Sequence, residues 1–169
     1  MIKLAGFVII MFSTVKIGRD LSEKYINRTN ELKNITSGLD LMCKEINFTN
    51  SGVADLLYSA SKVNNKKIKQ LFENMAHLIK NELNTPLLSF NKCKNNAGLA
   101  LNDADIQILC NYFSTCGKSN AEDEVDSIKN TINMLNYNLE SAISDENKHV
   151  KLCNFTGVVV GLMISIILL

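Results

Sequence analysis

Apolar and charged residues are segregated along this chain. An almost unbroken apolar run covers Leu4 to Val15, another covers Phe155 to Leu169, and nearly every charge lies between them. From Leu21 the apolar positions are Leu21, Tyr25, Leu32, Ile35, Leu39, Met42 and Ile46. They step by four and three once Arg28 fills the vacant slot. That is a heptad seam, and it predicts a long helix ending near Asn47. Gly38 sits inside it at a cost of about 1 kcal/mol relative to Ala. The other end mirrors this. Ser119-x-x-Glu122 reads as a capping box, followed by Val125, Ile128, Ile132, Leu135, Leu139 and Ala142 at the same spacing. Extended, this seam meets Glu146, His149 and Cys153. Each long helix is expected to continue unbroken into the neighbouring apolar run.

Two helices rooted at the same boundary run antiparallel. Arg28 and Glu146 then stand at a similar height, roughly 12–15 Å above that boundary. They are expected to pair and fix the register, as polar residues at seam positions do. Shorter helices fill the middle. Asn50 or Ser51 caps a segment with Val53, Leu56, Leu57 and Ala60. Asn64 or Asn65 precedes Ile68, Leu71, Phe72, Met75, Leu78, Ile79 and Leu83. Thr85-Pro86 places Pro at a first helical position, before Leu87, Leu88 and Phe90. Asn95 to Gly98 reads as a loop. Asn102 caps a helix with Asp103 and Asp105 in its first turn, and Gly117 ends it. The expected fold is all-α: an antiparallel bundle of about six helices, the first and last continuing into terminal membrane segments.

The expected organisation is a transmembrane helix at 1–17, a cytoplasmic helical domain at 18–152 and a second transmembrane helix at 153–169. Ile2 to Ile17 spans roughly 24 Å as helix, short of a bilayer core of ~30 Å. Lys3 and Lys16 can snorkel from its ends. No small-residue cleavage site follows the run, which argues against a removed signal peptide. Gly157 and Gly161 form a G-x-x-x-G pair suited to close packing of membrane helices. Lys16, Arg19, Lys24, Arg28, Lys148 and Lys151 flank the spans on the domain side, which puts that domain in the cytoplasm.

Composition narrows the chemistry. With 18 basic and 17 acidic residues, the chain lacks the basic excess of a nucleic-acid binder. Heavy use of Asn, Lys and Ile reads as codon bias of an AT-rich genome. The five cysteines lack C-x-x-C spacing and read as reduced, mostly buried thiols. His77 reads as a histidine at the edge of the core. No phosphate loop, nucleophile elbow or zinc-protease motif occurs, so neither an enzyme, a cofactor, a metal nor a small-molecule substrate is expected. Two charge clusters stand out as partner-binding candidates. Glu122, Asp123, Glu124 and Asp126 form a docking patch, a weak cation site or simply compensation of a helix dipole. Lys62, Lys66, Lys67 and Lys69 form a basic patch or a solvated face.

In order along the chain, these segments resemble the stage III sporulation protein AB family of spore-forming Firmicutes. Phe12-Ser13-Thr14-Val15-Lys16-Ile17-Gly18 matches the segment that closes its first apolar run. Glu45-Ile46-Asn47-Phe48 matches its Glu-Ile-x-aromatic step, and Cys116-Gly117-Lys118-Ser119-Asn120 its Leu-Gly-x-Ser-Asp segment. Gly157 to Ile164 matches its Gly-rich tail. A Pro usual after the Glu-Ile step is absent here, where Gly52 and Val53 stand, and Glu124 occupies the place of a frequent Gln. The family is similar to the F-type platform proteins of type II secretion. The resemblance implies a non-enzymatic scaffold of the channel between mother cell and forespore, in the mother-cell membrane. It further implies contacts with a secretion-type ATPase (stage III sporulation protein AA), with other membrane subunits and with lipid. A secreted, lipid-anchored surface protein is the alternative. The missing polar spacer before Phe155 argues against it.

Overall fold

A computed structural model describes residues 2–48 and 51–168. At positions 2–12, 14, 15, 18, 21, 154, 157, 158, 161, 162 and 164–168 it describes the helical backbone alone. Six helices account for the described secondary structure: α1 (Ile2–Phe48), α2 (Val53–Ala60), α3 (Lys66–Glu82), α4 (Pro86–Ala97), α5 (Asp103–Thr115) and α6 (Ala121–Leu168). Among the described residues there is no strand. The all-α bundle expected from the seams is present. Among the described residues, no helix is long and apolar enough to cross a membrane. The spans expected at 1–17 and 153–169 fall largely outside the residues whose side chains are described.

Helix ends follow local chemistry, with shifts from expectation. Asn65 caps α3, its side chain accepting from Lys67 N and Ile68 N, and Thr85 caps α4 with Pro86 behind it. Asn102 and Asp105 form a full capping box on α5. The cap of α6 is Asn120, whose Oδ1 accepts from Asp123 N at 2.8 Å. The cap expected at Ser119 therefore lies one residue later, at Asn120. Amide and hydroxyl oxygens are both competent caps, so spacing alone did not choose between neighbours. α2 begins after Gly52 with no side-chain cap. Asn95 to Ala97, expected as loop, remain helical, and Gly98 ends α4 at φ 56°. Glycine adopts that left-handed conformation without a Cβ penalty.

The chain divides into two units, Asn30–Glu140 and the pairing of Met1–Thr29 with Ser141–Leu169. In the central unit, side chains fix the direction of each helix. Asn65 N donates to Asn34 Oδ1 at 3.0 Å, and Phe72 covers Gly38, so α1 and α3 run the same way. Lys80 Nζ near the end of α3 lies 3.9 Å from Asp55 at the start of α2. Lys92 of α4 reaches Glu82 at 3.3 Å, while Gly98 beyond α4 meets Lys67. Asp105 at the start of α5 meets Asn138 of α6, and Tyr112 near its end meets Glu124. The helices thus alternate up and down. Gly52 and loops 83–85 and 116–120 lie at one end, and loops 61–65 and 98–102 at the other.

The core is the sum of the predicted stripes. Leu32, Ile35, Leu39 and Met42 of α1 are fully buried, as are Ile128 and Leu135 of α6 and Leu57, Ile68, Met75 and Phe90 between them. Ile46, Ile132 and Leu139 are half-buried, and Thr131 takes the slot beside Ile132. Thr131 stays satisfied by donating to Ser127 O at 2.8 Å. In the terminal unit the Tyr25 ring stacks on His149, centroids 4.2 Å apart and planes 8° apart. Arg28, three residues on, meets Asp145, four residues back. Helices α1 and α6 are therefore antiparallel there.

Gly38 is where α1 admits the rest of the central unit. A Cβ at this position would stand 2.6 Å from Phe72 Cε2 and 3.0 Å from the Ala60 carbonyl oxygen. Phe72 is 1% exposed and cannot swing away. Overpacking a filled core costs about 1–3 kcal/mol, more than the ~1 kcal/mol that Ala gains over Gly in a helix. Gly38→Ala is expected to lower unfolding stability by up to about 2 kcal/mol, measured by urea titration. Phe72→Leu made first should remove most of that loss, and equal losses in both backgrounds would contradict the contact.

Candidate interaction surfaces

The acidic run does not behave as one patch. Glu122, Asp123 and Asp126 are exposed on the first turns of α6. Asp126 Oδ1 lies 3.9 Å from Lys129. Glu124 is buried, 7% exposed, and turns inward. Its Oε1 accepts from Tyr112 Oη at 3.0 Å and its Oε2 from Gly117 N at 3.0 Å. Gly117 stands at φ 77°, and a Cβ there would meet Val53 Cγ2 at 2.4 Å. Glu124 is thus a structural pin for the turn between α5 and α6, not a docking residue. Among the described residues, no group of three or more His, Cys, Asp and Glu side chains is placed to hold a metal ion.

Cys116 joins the same buried network, its Sγ donating to Tyr112 Oη at 3.5 Å. Burial, assisted by nearby Glu124, pushes the thiol up to about 12. Burial first, then Cys116 and Glu124, drive the Tyr112 hydroxyl far above its ordinary range. Neither group is poised as a nucleophile, which needs a depressed pKa or an adjacent base.

The basic cluster also divides. Lys62 and Lys66 are exposed, and Lys69 pairs with Glu73 at 3.8 Å. Lys67 Nζ donates to Gly98 O at 2.9 Å and stands 3.8 Å from Glu31 Oε1. Glu31, 1% exposed, was not singled out from the sequence. Its Oε2 accepts from Ala100 N at 2.6 Å, which ties the loop between α4 and α5 to α1. Burial raises its carboxyl pKa, and the Ala100 amide and Lys67 pull it back. His77, expected at the core edge, is exposed. It borders a groove of about 510 Å³ with Asn74, Glu82, Lys92 and Asn96.

Arg28, 14% exposed at its side chain, places Nη1 3.9 Å from Asp145 Oδ2. Asp145 precedes the expected partner Glu146, which is half-buried. Asp145 is 42% exposed, and pairs of this kind contribute at most ~1 kcal/mol. The Gly157 and Gly161 pair falls within α6, and its packing lies outside the described residues. The cysteines Cys43, Cys93, Cys110, Cys116 and Cys153 are all free, and Cys43, Cys93 and Cys116 are buried.

With six alternating helices and this set of polar pins in place, the comparison with known proteins is decisive. A family model described as stage III sporulation protein AB matches residues 3–169. The chain belongs to the stage III sporulation protein AB family. This agrees with the resemblance carried by Glu45 to Phe48 and by the Gly-rich tail. A solved structure titled "Stage III sporulation protein AB (SpoIIIAB)" is similar with a TM-score of 0.64 at 13% identity, covering 72% of this chain and 98% of that one. At that identity the likeness is one of fold. No curated protein matches the sequence. Stage III sporulation protein AB is a sporulation family and not a known enzyme family.

Two measurements check the pins. A Glu whose pKa is raised on folding holds its proton more tightly when folded, so stability falls as pH rises above its ordinary value of 4.5. Glu31→Gln keeps an acceptor for Ala100 N and should flatten that fall in urea titrations from pH 4 to 8. Glu31→Leu leaves the amide unpaired and should cost about 1–3 kcal/mol at every pH. Cys116 should resist alkylation at pH 8 at least about 100-fold longer than a free thiol, because little thiolate forms. Half-buried Cys110 and Cys153 should label first in mass spectra.

Proposed function

We propose that this chain is a non-enzymatic scaffold subunit of the sporulation channel between mother cell and forespore. The apolar ends at 1–17 and 153–169 anchor it in the mother-cell membrane, and residues 18–152 face the cytoplasm. Its partners are a secretion-type ATPase, stage III sporulation protein AA, and other membrane subunits. The observation that carries this reading is the family match over residues 3–169. The polar groups inside the bundle support it, because they bind loops and helix ends. A scaffold needs a fixed shape and exposed faces, and the two candidate charge clusters lie at opposite ends of the central unit. Glu122, Asp123 and Asp126 lie near one end, with Lys62 and Lys66 near the other. Glu124 leaves the docking proposal, because its carboxylate is buried and taken up by Tyr112 and Gly117.

A pull-down from sporulating cells tests the partner. The tagged chain is expected to recover the secretion-type ATPase. Reversing Glu122, Asp123 and Asp126 to Lys, or Lys62, Lys66 and Lys69 to Glu, should cut recovery at least about tenfold for the patch that docks. Recovery unchanged by either set would exclude both patches. Carbonate extraction tests the anchors: the chain should stay in the membrane pellet with its Met1 segment intact, and release to the supernatant would remove them.

A further inference from the structure

One face of the central unit carries almost no charge. Helix α5 presents Ala104, Ile108, Asn111 and Thr115 along a single stripe, and none of its side chains beyond Asp105 is charged. From Asn130 to Leu139 helix α6 has no charged residue either, and its stripe offers Asn130, Met134 and Tyr137. Ile108, Asn111, Thr115, Asn130 and Met134 line a shared groove of about 400 Å³. Met134 is 52% exposed and Tyr137 77%. Codon bias does not explain this face, because an AT-rich genome supplies Lys as readily as Asn. From Asn95 to Ser127 the chain nonetheless has Lys118 as its one cation, and from Asn130 to Asn147 it has none.

We propose that two copies of this chain pair through the α5–α6 face, with Met134 and Tyr137 at the centre. The electrostatics suit a second copy. An isologous interface sets each residue against its own kind or its neighbours, so a charged face repels itself. Amides both donate and accept, and so do hydroxyls. Asn111, Thr115, Asn130 and the Tyr137 hydroxyl can therefore bond to the same groups on a copy. The acids Asp123 and Asp126 lie at one end of the groove, where solvent and salt screen them. Enrichment in Tyr and Met with depletion of Lys and Glu is the composition of interface cores. The pairing does not rest on the membrane anchors or the ATPase contact.

The test uses the full chain in detergent, followed by sedimentation velocity. The wild-type chain is expected to be a dimer that dissociates on dilution. Tyr137→Glu and Tyr137→Lys, both at an exposed site, should each raise the dissociation constant at least about tenfold with no change in thermal melting. Mixing the two variants should restore pairing. A wild-type monomer at all concentrations, or a dimer indifferent to both substitutions, would overturn the proposal. So would a photo-crosslinker at position 137 that joins another subunit in sporulating cells and never a second copy. A monomer would leave the scaffold reading standing.

Discussion

Three carboxylates of the central unit are buried, and each meets its need for donors at a backbone amide where helices turn. Glu31 accepts from Ala100 N, Asp105 from Asn102 N and Glu124 from Gly117 N. Leaving a buried acceptor unsatisfied costs at least about 1–3 kcal/mol, a large share of the 5–15 kcal/mol that stabilises a typical domain. Each acid also reaches a second element. Glu31 faces Lys67, Asp105 accepts from Asn138 at 2.8 Å, and Glu124 accepts from Tyr112. The loops are therefore held by specific contacts as well as by apolar area. A bundle whose stripes could slide by a turn is fixed in register by groups that pair in one arrangement only.

The apolar frame was legible because helical burial leaves a period. Leu32, Ile35, Leu39 and Met42 fall on the predicted seam and are buried without exception. The caps at Asn65, Thr85 and Asn102 were equally readable, since few residue types satisfy an initial turn. The buried acids were not read, yet they leave a trace. Glu31 is in step with Ile35, Gly38 and Met42. Asp105 is in step with Leu109, Tyr112 and Cys116, and Glu124 with Ile128, Thr131 and Leu135. In each helix the acid occupies a slot of the buried stripe. A charge run hides this, because Glu124 among Glu122, Asp123 and Asp126 looks like a fourth surface acid. Helical phase, not charge density, separates the pin from the patch.

The same phase argument accounts for the absence of reactive chemistry around the best-connected cysteine. Cys116 touches a tyrosine hydroxyl and lies near a carboxylate, a combination that resembles an activated thiol when written as a list. Depth reverses the conclusion. Desolvation disfavours the thiolate, the adjacent carboxylate adds negative charge, and the thiol is pushed up to about 12. Tyr112 is itself driven upward, so it keeps its proton and donates a hydrogen bond to Glu124. The network closes on itself inside the fold, as a structural joint does.

A shared fold at 13% identity follows from this physics. Cores tolerate extensive apolar exchange when volume and pattern are kept, so stripes can persist while identities drift. What a stripe cannot carry is the identity of the partner, because that is written on exposed residues free to change without cost to the core. The family's fold is therefore a sound basis for the bundle and a weak one for any docking residue. For this chain the docking question reduces to its own exposed surface: the acids Glu122, Asp123 and Asp126, the lysines Lys62 and Lys66, and the uncharged stripes of α5 and α6. Of these, the uncharged stripes are the hardest to explain as a solvated face, since water favours the charges that this face lacks.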